Sequence, residues 1–149
     1  MIKEEIKTNV NILDLYAGTG ILGIEALSLG CAKADFVEIN HKTARQLNSI
    51  LKSFNLDSIT QVYPMSTEAF LSLKNKSYDI IFIDPPYGTY DLTEIITLLY
   101  KNDWASKTTW VYYETNQLIT TEGQFGCYIY KESRAGKVYY GLIRQIDSD

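Results

Sequence analysis

The chain has 149 residues, 46% of them hydrophobic and 21% charged, with a formal net charge of −4. That length buries a core without staples and predicts one domain, residues 1–149. The acidic balance argues against generic nucleic-acid binding, which rests on many phosphate contacts, so a nucleic-acid partner has to meet a local basic patch. Residues 10–16 form a β-rich run that ends at Ala17-Gly18-Thr19-Gly20-Ile21-Leu22-Gly23. Ile21, Leu22, Ile24, Ala26, Leu27 and Leu29 then repeat at helical spacing up to Gly30, a natural stop. A second strand covers residues 34–40, followed by a helix over 41–54 with Ala44, Leu47, Ile50, Leu51 and Phe54 on one face.

Residues 59–63 give a short third strand. The helix opened by Pro64-Met65-Ser66-Thr67-Glu68 has Ser66 as its expected N-cap. The apolar run over residues 78–83 reads as a fully buried strand, stopped by Pro85 and Pro86. A loop over 88–91 leads to a helix over 92–101, and residues 108–114 are good strand formers. The tail, residues 126–144, reads as two strands joined by a turn at Ala135-Gly136, with no helix between them. Alternating strands and helices closed by a hairpin predict an α/β fold, a mostly parallel central sheet flanked by helices with a C-terminal antiparallel hairpin. Cys31 and Cys127 lack metal-type spacing and fit a reducing, cytoplasmic interior. His41 is the sole histidine, which excludes a multi-histidine metal centre; it reads as a surface residue. No apolar stretch approaches a membrane span, and the opening Met1-Ile2-Lys3-Glu4-Glu5-Ile6-Lys7 is no signal peptide.

Two places carry chemistry. Asp84-Pro85-Pro86-Tyr87 is an acceptor-rich elbow: the Asp84 carboxylate and the Pro85 carbonyl accept hydrogen bonds, and neither proline has an N–H to donate. Such an elbow suits an exocyclic amino group, whose lone pair is turned towards an electrophile when both hydrogens are accepted. Tyr87 offers a face on which a nucleobase can stack. The second place is the loop with glycines at 18, 20 and 23, formally the G-x-G-x-x-G dinucleotide fingerprint. Glu38 follows about 20 residues after Gly18, where an acid that accepts ribose hydroxyls is expected in either kind of nucleotide-binding loop. The plain alternatives are a solvent-exposed Asp84 at a Pro-Pro turn, an Asp14 satisfied by loop N–H groups, and a surface Glu38. A nicotinamide-dependent reductase also stays open, although the terminal hairpin breaks the strand–helix alternation that such an enzyme would continue.

Asp-Pro-Pro-Tyr resembles the signature of S-adenosylmethionine-dependent methyltransferases that modify exocyclic amino nitrogens. Asp14 followed by Ala-Gly-Thr-Gly resembles their first motif. Taken together, Leu13 to Gly20, Gly23 to Ser28, Phe36-Val37-Glu38, Asp79 to Gly88 and Lys131 to Gly141 are similar to the bacterial small-subunit ribosomal RNA guanine-N2 methyltransferases of the RsmD type. The resemblance implies a Rossmann-like class I methyltransferase with S-adenosylmethionine as cofactor. It implies methyl transfer to the 2-amino group of one guanine in 16S rRNA within the small ribosomal subunit, by a protein expected to be a monomer without metal or membrane. Cofactor contacts are implied at Asp14, Tyr16, Ala17, Gly18, Thr19, Gly20, Glu38, Ile39, Ser66 and Asp84. Catalytic roles are implied at Asp84, Pro85, Pro86 and Tyr87. Nucleic-acid contacts are expected at Tyr87, Lys131, Arg134 and Lys137, with Arg144 nearby; an ordinary solvated hairpin is the plain alternative.

There are departures. Family members carry a basic segment ahead of the glycine loop, and this sequence is expected to lack that lid. After the third strand the family has Asp-Ala, and this chain has Ser66-Thr67, which predicts weaker selection of the adenine ring. Two further readings share the motifs: an adenine-N6 nucleic-acid methyltransferase, and a cofactor-binding remnant that acts in ribosome assembly without catalysis.

Overall fold

A computed structural model describes residues 9–73, 76–86, 91–117 and 127–145. Eleven elements follow in order: β1 (Asn11–Asp14), α1 (Ile21–Ser28), β2 (Lys33–Val37), α2 (His41–Ser53), β3 (Thr60–Tyr63), α3 (Thr67–Leu71), β4 (Tyr78–Ile83), α4 (Leu92–Lys101), β5 (Ala105–Thr115), β6 (Cys127–Ala135) and β7 (Val138–Gln145). They build one sheet in the order β3-β2-β1-β4-β5-β7-β6. The β1–β2, β1–β4, β2–β3 and β4–β5 pairings are parallel. β7 is antiparallel to both of its neighbours, β5 and β6. The expected architecture holds, with one reversed strand inserted next to the edge.

The two-residue period of the buried strands sorts the core into layers. Ile12, Ala34, Phe36, Ile80 and Phe82 face α1 and α2, where Ala26, Ala44, Leu47 and Leu51 complete a cluster. Their neighbours Leu13, Val37, Ile81 and Ile83 face the other way, onto Phe70, Leu71, Ile95, Ile96 and Leu99 of α3 and α4. Side chains cap the starts of α2 and α4. The Asn40 side chain accepts the Thr43 N–H at 2.9 Å, and Asp91 accepts the Thr93 N–H at 3.0 Å. Trp104, 2% exposed, donates its indole N–H to the Leu71 carbonyl at 3.0 Å and locks the α4–β5 corner onto α3.

The element boundaries depart from expectation in instructive places. β1 ends on Asp14 and β2 on Val37, short of the expected residues 16 and 40. One more cross-strand bond follows each, from the Leu15 N–H to the Phe82 carbonyl and from the Glu38 N–H to the Tyr63 carbonyl, both at 3.1 Å. β5 begins at Ala105, ahead of residue 108, with an irregularity in its pairing to β4 between Tyr78 and Ile80. Hydroxyls fill the break: the Thr109 Oγ1 accepts the Ser106 N–H at 2.9 Å and donates to the Tyr78 carbonyl at 2.6 Å. His41 is exposed, as read from the sequence.

Candidate active site

Strand order reverses between β1 and β4, the switch point at which α/β sheets open a crevice beyond their strand ends. An acid stands at this edge on each of β1, β2, β4 and β5: Asp14 closes β1, Glu38 follows β2, Asp84 follows β4 and Glu114 lies near the end of β5. A cavity of about 470 Å³ opens there. Its wall comprises Leu15, Tyr16, Gly18, Val37, Glu38, Ile39, Ser66, Thr67, Glu68, Asp84, Pro85, Pro86 and Glu114.

The glycine loop forms one side. Gly18 has φ +55, and a Cβ there would meet no atom within 4 Å, so its bare backbone is open to a ligand. Gly20, φ +81, is the N-cap of α1, and a Cβ on it would overlap the Leu47 side chain. Gly20 thus seats the helix and leaves ligand contact to Gly18. Glu38 ties the loop to β2: Oε1 accepts the Gly18 N–H at 2.9 Å and Oε2 accepts the Asn40 N–H at 2.7 Å. Each oxygen keeps a second lone pair for a ligand hydroxyl. Beneath the loop Asp14 is only 1% exposed, and its Oδ1 accepts the Tyr16 N–H at a long 3.4 Å. Burial, opposed by that bond and reinforced by the charges of Asp84 and Glu38, pushes its carboxyl up to about 7.

The elbow, which follows the neighbouring strand β4, lines the same cavity. Burial and then the charge and hydrogen bond of Glu114 push Asp84 up to about 6. The contact follows from register, since Ile83 pairs with Tyr113 and the next residue on each strand is an acid. The Tyr112 hydroxyl donates to Glu114 Oε1 at 2.7 Å. At the cavity's third side, Ser66 Oγ accepts the Ala69 N–H at 3.0 Å as the cap of α3. Its remaining lone pair faces a ligand without the charge that an aspartate would bring. Thr67, 4% exposed, donates to the Leu15 carbonyl at 2.7 Å and fixes α3 against the end of β1.

Asp84, Pro85, Pro86, Tyr16, Gly18, Glu38, Ile39 and Ser66 therefore share one cavity, with Asp14 below it. Ala17, Thr19 and Gly20 stand outside the wall: Ala17 is buried and its N–H donates to the Val37 carbonyl at 2.9 Å, whereas Thr19 is exposed. Tyr87 lies outside the described residues. Lys131, Arg134 and Lys137 are exposed on the β6–β7 hairpin. Thr115 pairs with Tyr139 and Ala135 with Val138, so the hairpin turn lies at the same edge of the sheet as the cavity. Arg144 is at the hairpin's other end, stacked on Trp110 with 4.5 Å between guanidinium and ring centre. Sequence reasoning missed Glu114 and the role of Thr67. The available signal for Glu114 was the repeated pattern of an acid at the end of an apolar strand.

Residues 1–144 match the family model described as Conserved hypothetical protein 95. A ribosomal RNA small subunit methyltransferase D from Buchnera aphidicola is 35% identical, over 97% of this chain and 74% of that protein. The chain belongs to the methyltransferase D family. The Escherichia coli member of the same name is 32% identical over 89% of this chain and 67% of its own length. A solved structure titled "Putative methyltransferase yhhF from Escherichia coli" aligns with a TM-score of 0.88 at 30% identity, covering 97% of this chain and 79% of that one. The fold of this methyltransferase D family member is therefore the class I methyltransferase fold, and the sheet order above is its topology.

Whether the cavity suits S-adenosylmethionine is decided by its charges and its lining. The ligand carries an ammonium and a sulfonium, and the cavity gathers carboxylates around a buried acid whose recorded backbone bond is long. A cation offsets what burial and like charges cost Asp14. The open face of Gly18, the Glu38 lone pairs and the apolar Ile39, 61% exposed at the rim, complete a set suited to a nucleoside. The residues fit the cofactor.

Proposed function

We propose that the chain transfers a methyl group from S-adenosylmethionine to the exocyclic 2-amino group of a guanine in 16S rRNA of the small ribosomal subunit. The observation that carries the proposal is the meeting, in one cavity, of the acid-floored glycine loop and the Asp84-Pro85-Pro86 elbow. The name of the methyltransferase D relatives supports small-subunit ribosomal RNA as the substrate.

Asp14 and the Gly18 loop hold the cofactor's amino-acid end, and Glu38 accepts its ribose hydroxyls. Ile39 and Ser66 meet its adenine. When bound, the cofactor supplies an electrophilic methyl group on sulfur. Asp84 and the Pro85 carbonyl accept the two amino hydrogens and keep the nitrogen about 3–3.5 Å from its target. The amino nitrogen gains a carbon and gives up a proton, and the Asp84 carboxylate, at about 6, can hold that proton. Lys131, Arg134 and Lys137 contact phosphates beside the cavity, so a local patch serves a chain of net negative charge. Tyr87, next to the elbow in sequence, stacks on the base drawn out of its own stack.

The test is transfer of labelled methyl from S-adenosylmethionine to small subunits lacking the modification, to naked 16S rRNA and to duplex DNA, followed by nucleoside analysis. N2-methylguanine in the ribosomal acceptor is expected. N6-methyladenine as the product would assign the elbow to adenine. Cofactor binding without transfer to any acceptor would identify a binding module.

A further inference from the structure

We propose that Glu114 reads the target base: it accepts the N1–H of the guanine whose 2-amino group Asp84 holds, and thereby separates guanine from adenine. The inference rests on the guanine-N2 reading of this cavity.

Geometry brings the two acids together. β4 and β5 run parallel with Ile83 opposite Tyr113, so Asp84 and Glu114 leave neighbouring strands side by side, and both line the cavity. Burial, and after it the charge of Glu114, pushes the Asp84 carboxyl up. Tyr112 orients Glu114 by donating its hydroxyl to Oε1 at 2.7 Å. Tyr112 is in turn held by its edge-on contact with Phe82, 5.9 Å between ring centres. Tyr140 lies opposite Glu114 on β7. The acid is therefore aimed by the sheet and is not a mobile surface side chain.

Two carboxylates in contact repel unless donors come between them. The Watson–Crick edge of guanine presents N1–H and N2–H side by side, matching two adjacent acceptors. Adenine presents an amino group too, but its N1 is a lone pair, which would face the Glu114 carboxylate. A buried acceptor left opposite another acceptor is penalised, and this is how a polar site rejects an analogue. Asp84 alone, shared by both kinds of amino-group chemistry, provides no such distinction. The upward push of Glu114 on the Asp84 carboxyl marks a repulsion that guanine's paired donors would relieve.

The test uses RNA carrying either guanine or 2-aminopurine at the methylated position, mapped beforehand with the wild-type protein. 2-Aminopurine keeps the 2-amino group and replaces N1–H with a lone pair. Wild type is expected to prefer guanine by roughly 10–100-fold in kcat/KM. In Glu114→Gln the amide can accept N1–H or donate to the N1 lone pair, so the preference should fall to within about threefold. Cofactor affinity should be unchanged. A Glu114→Gln protein that keeps the wild-type preference, whatever its melting temperature, overturns the proposal. So does complete loss of transfer in Glu114→Gln with cofactor affinity intact, because one base contact is worth no more than about 100-fold. Wild-type methylation of adenine would instead overturn the guanine-N2 reading itself, before any variant is considered.

Discussion

The two walls of the cavity hold their carboxylates in opposite ways. On the β2 side, Glu38 has each oxygen on a backbone N–H, at 2.9 and 2.7 Å. On the β4–β5 side, burial and then a neighbouring acid, Glu114, push Asp84 up to about 6. Glu38 is satisfied before any ligand arrives, so it contributes shape and a pair of spare lone pairs. Asp84 is half-buried beside a second acid, so a ligand with hydrogens to donate gains more there than it would in water. On the proposed reading, the difference separates a wall that binds from a wall that acts. Asp14, buried beneath the loop, belongs with the second kind, although what relieves it is a cation.

Substitutions can break that contrast. The largest effect is expected for Asp84→Ala, with transfer reduced roughly 10²–10³-fold. Titration of the same variant should show cofactor affinity within about threefold of wild type; retained turnover would remove Asp84 from its role. Asp14→Asn should weaken cofactor binding by about 10–100-fold, the worth of a charge-assisted hydrogen bond. The same change should stabilise the ligand-free protein at pH 8. A carboxyl raised to about 7 in the fold contributes stability that is present below its ordinary value of 3.8 and lost as pH rises through about 7. Thermal unfolding should therefore show Asp14→Asn roughly 4–8 °C above wild type at pH 8, with the gap closing towards pH 4.

Glu38→Ala should behave the other way. It should lower cofactor affinity about 10-fold and also lower the melting temperature, because the Gly18 and Asn40 N–H groups lose their partner. An unchanged affinity would confine Glu38 to holding the loop. The smallest effect is expected on the hairpin. Arg134→Ala or Lys137→Ala should reduce RNA affinity only a few-fold, and the salt dependence of binding should lose about one unit of slope. A variant that binds RNA with the wild-type slope would leave that residue as part of a solvated turn.

The fold was legible because its signals are local. Apolar runs, glycine turns, the Ser66 cap, and the Asp84-Pro85-Pro86 stop each determine nearby backbone. The terminal hairpin was readable too, since Ala135-Gly136 punctuates two strand-like runs. Glu114 was not readable in the same way. It closes a stretch that looks like ordinary strand, and its importance comes from the β4–β5 register, which places a residue of distant sequence beside it. Glu38 was placed correctly at the edge, but its two backbone bonds depend on the path of the Gly18 loop. Ser66 was legible as a helix cap, and that service occupies one of the lone pairs expected to meet the cofactor.

On the proposed reading, the buried Asp14 carboxyl, held by one long backbone bond, makes this cavity a seat for a cationic cofactor. Calorimetric titration of S-adenosylmethionine near pH 7, in buffers of different ionisation enthalpy, tests it most directly. An Asp14 carboxyl poised at about 7 should release about half a proton per cofactor bound, and Asp14→Asn should abolish that release. Binding with no proton release, or with the same release in Asp14→Asn, would contradict the account.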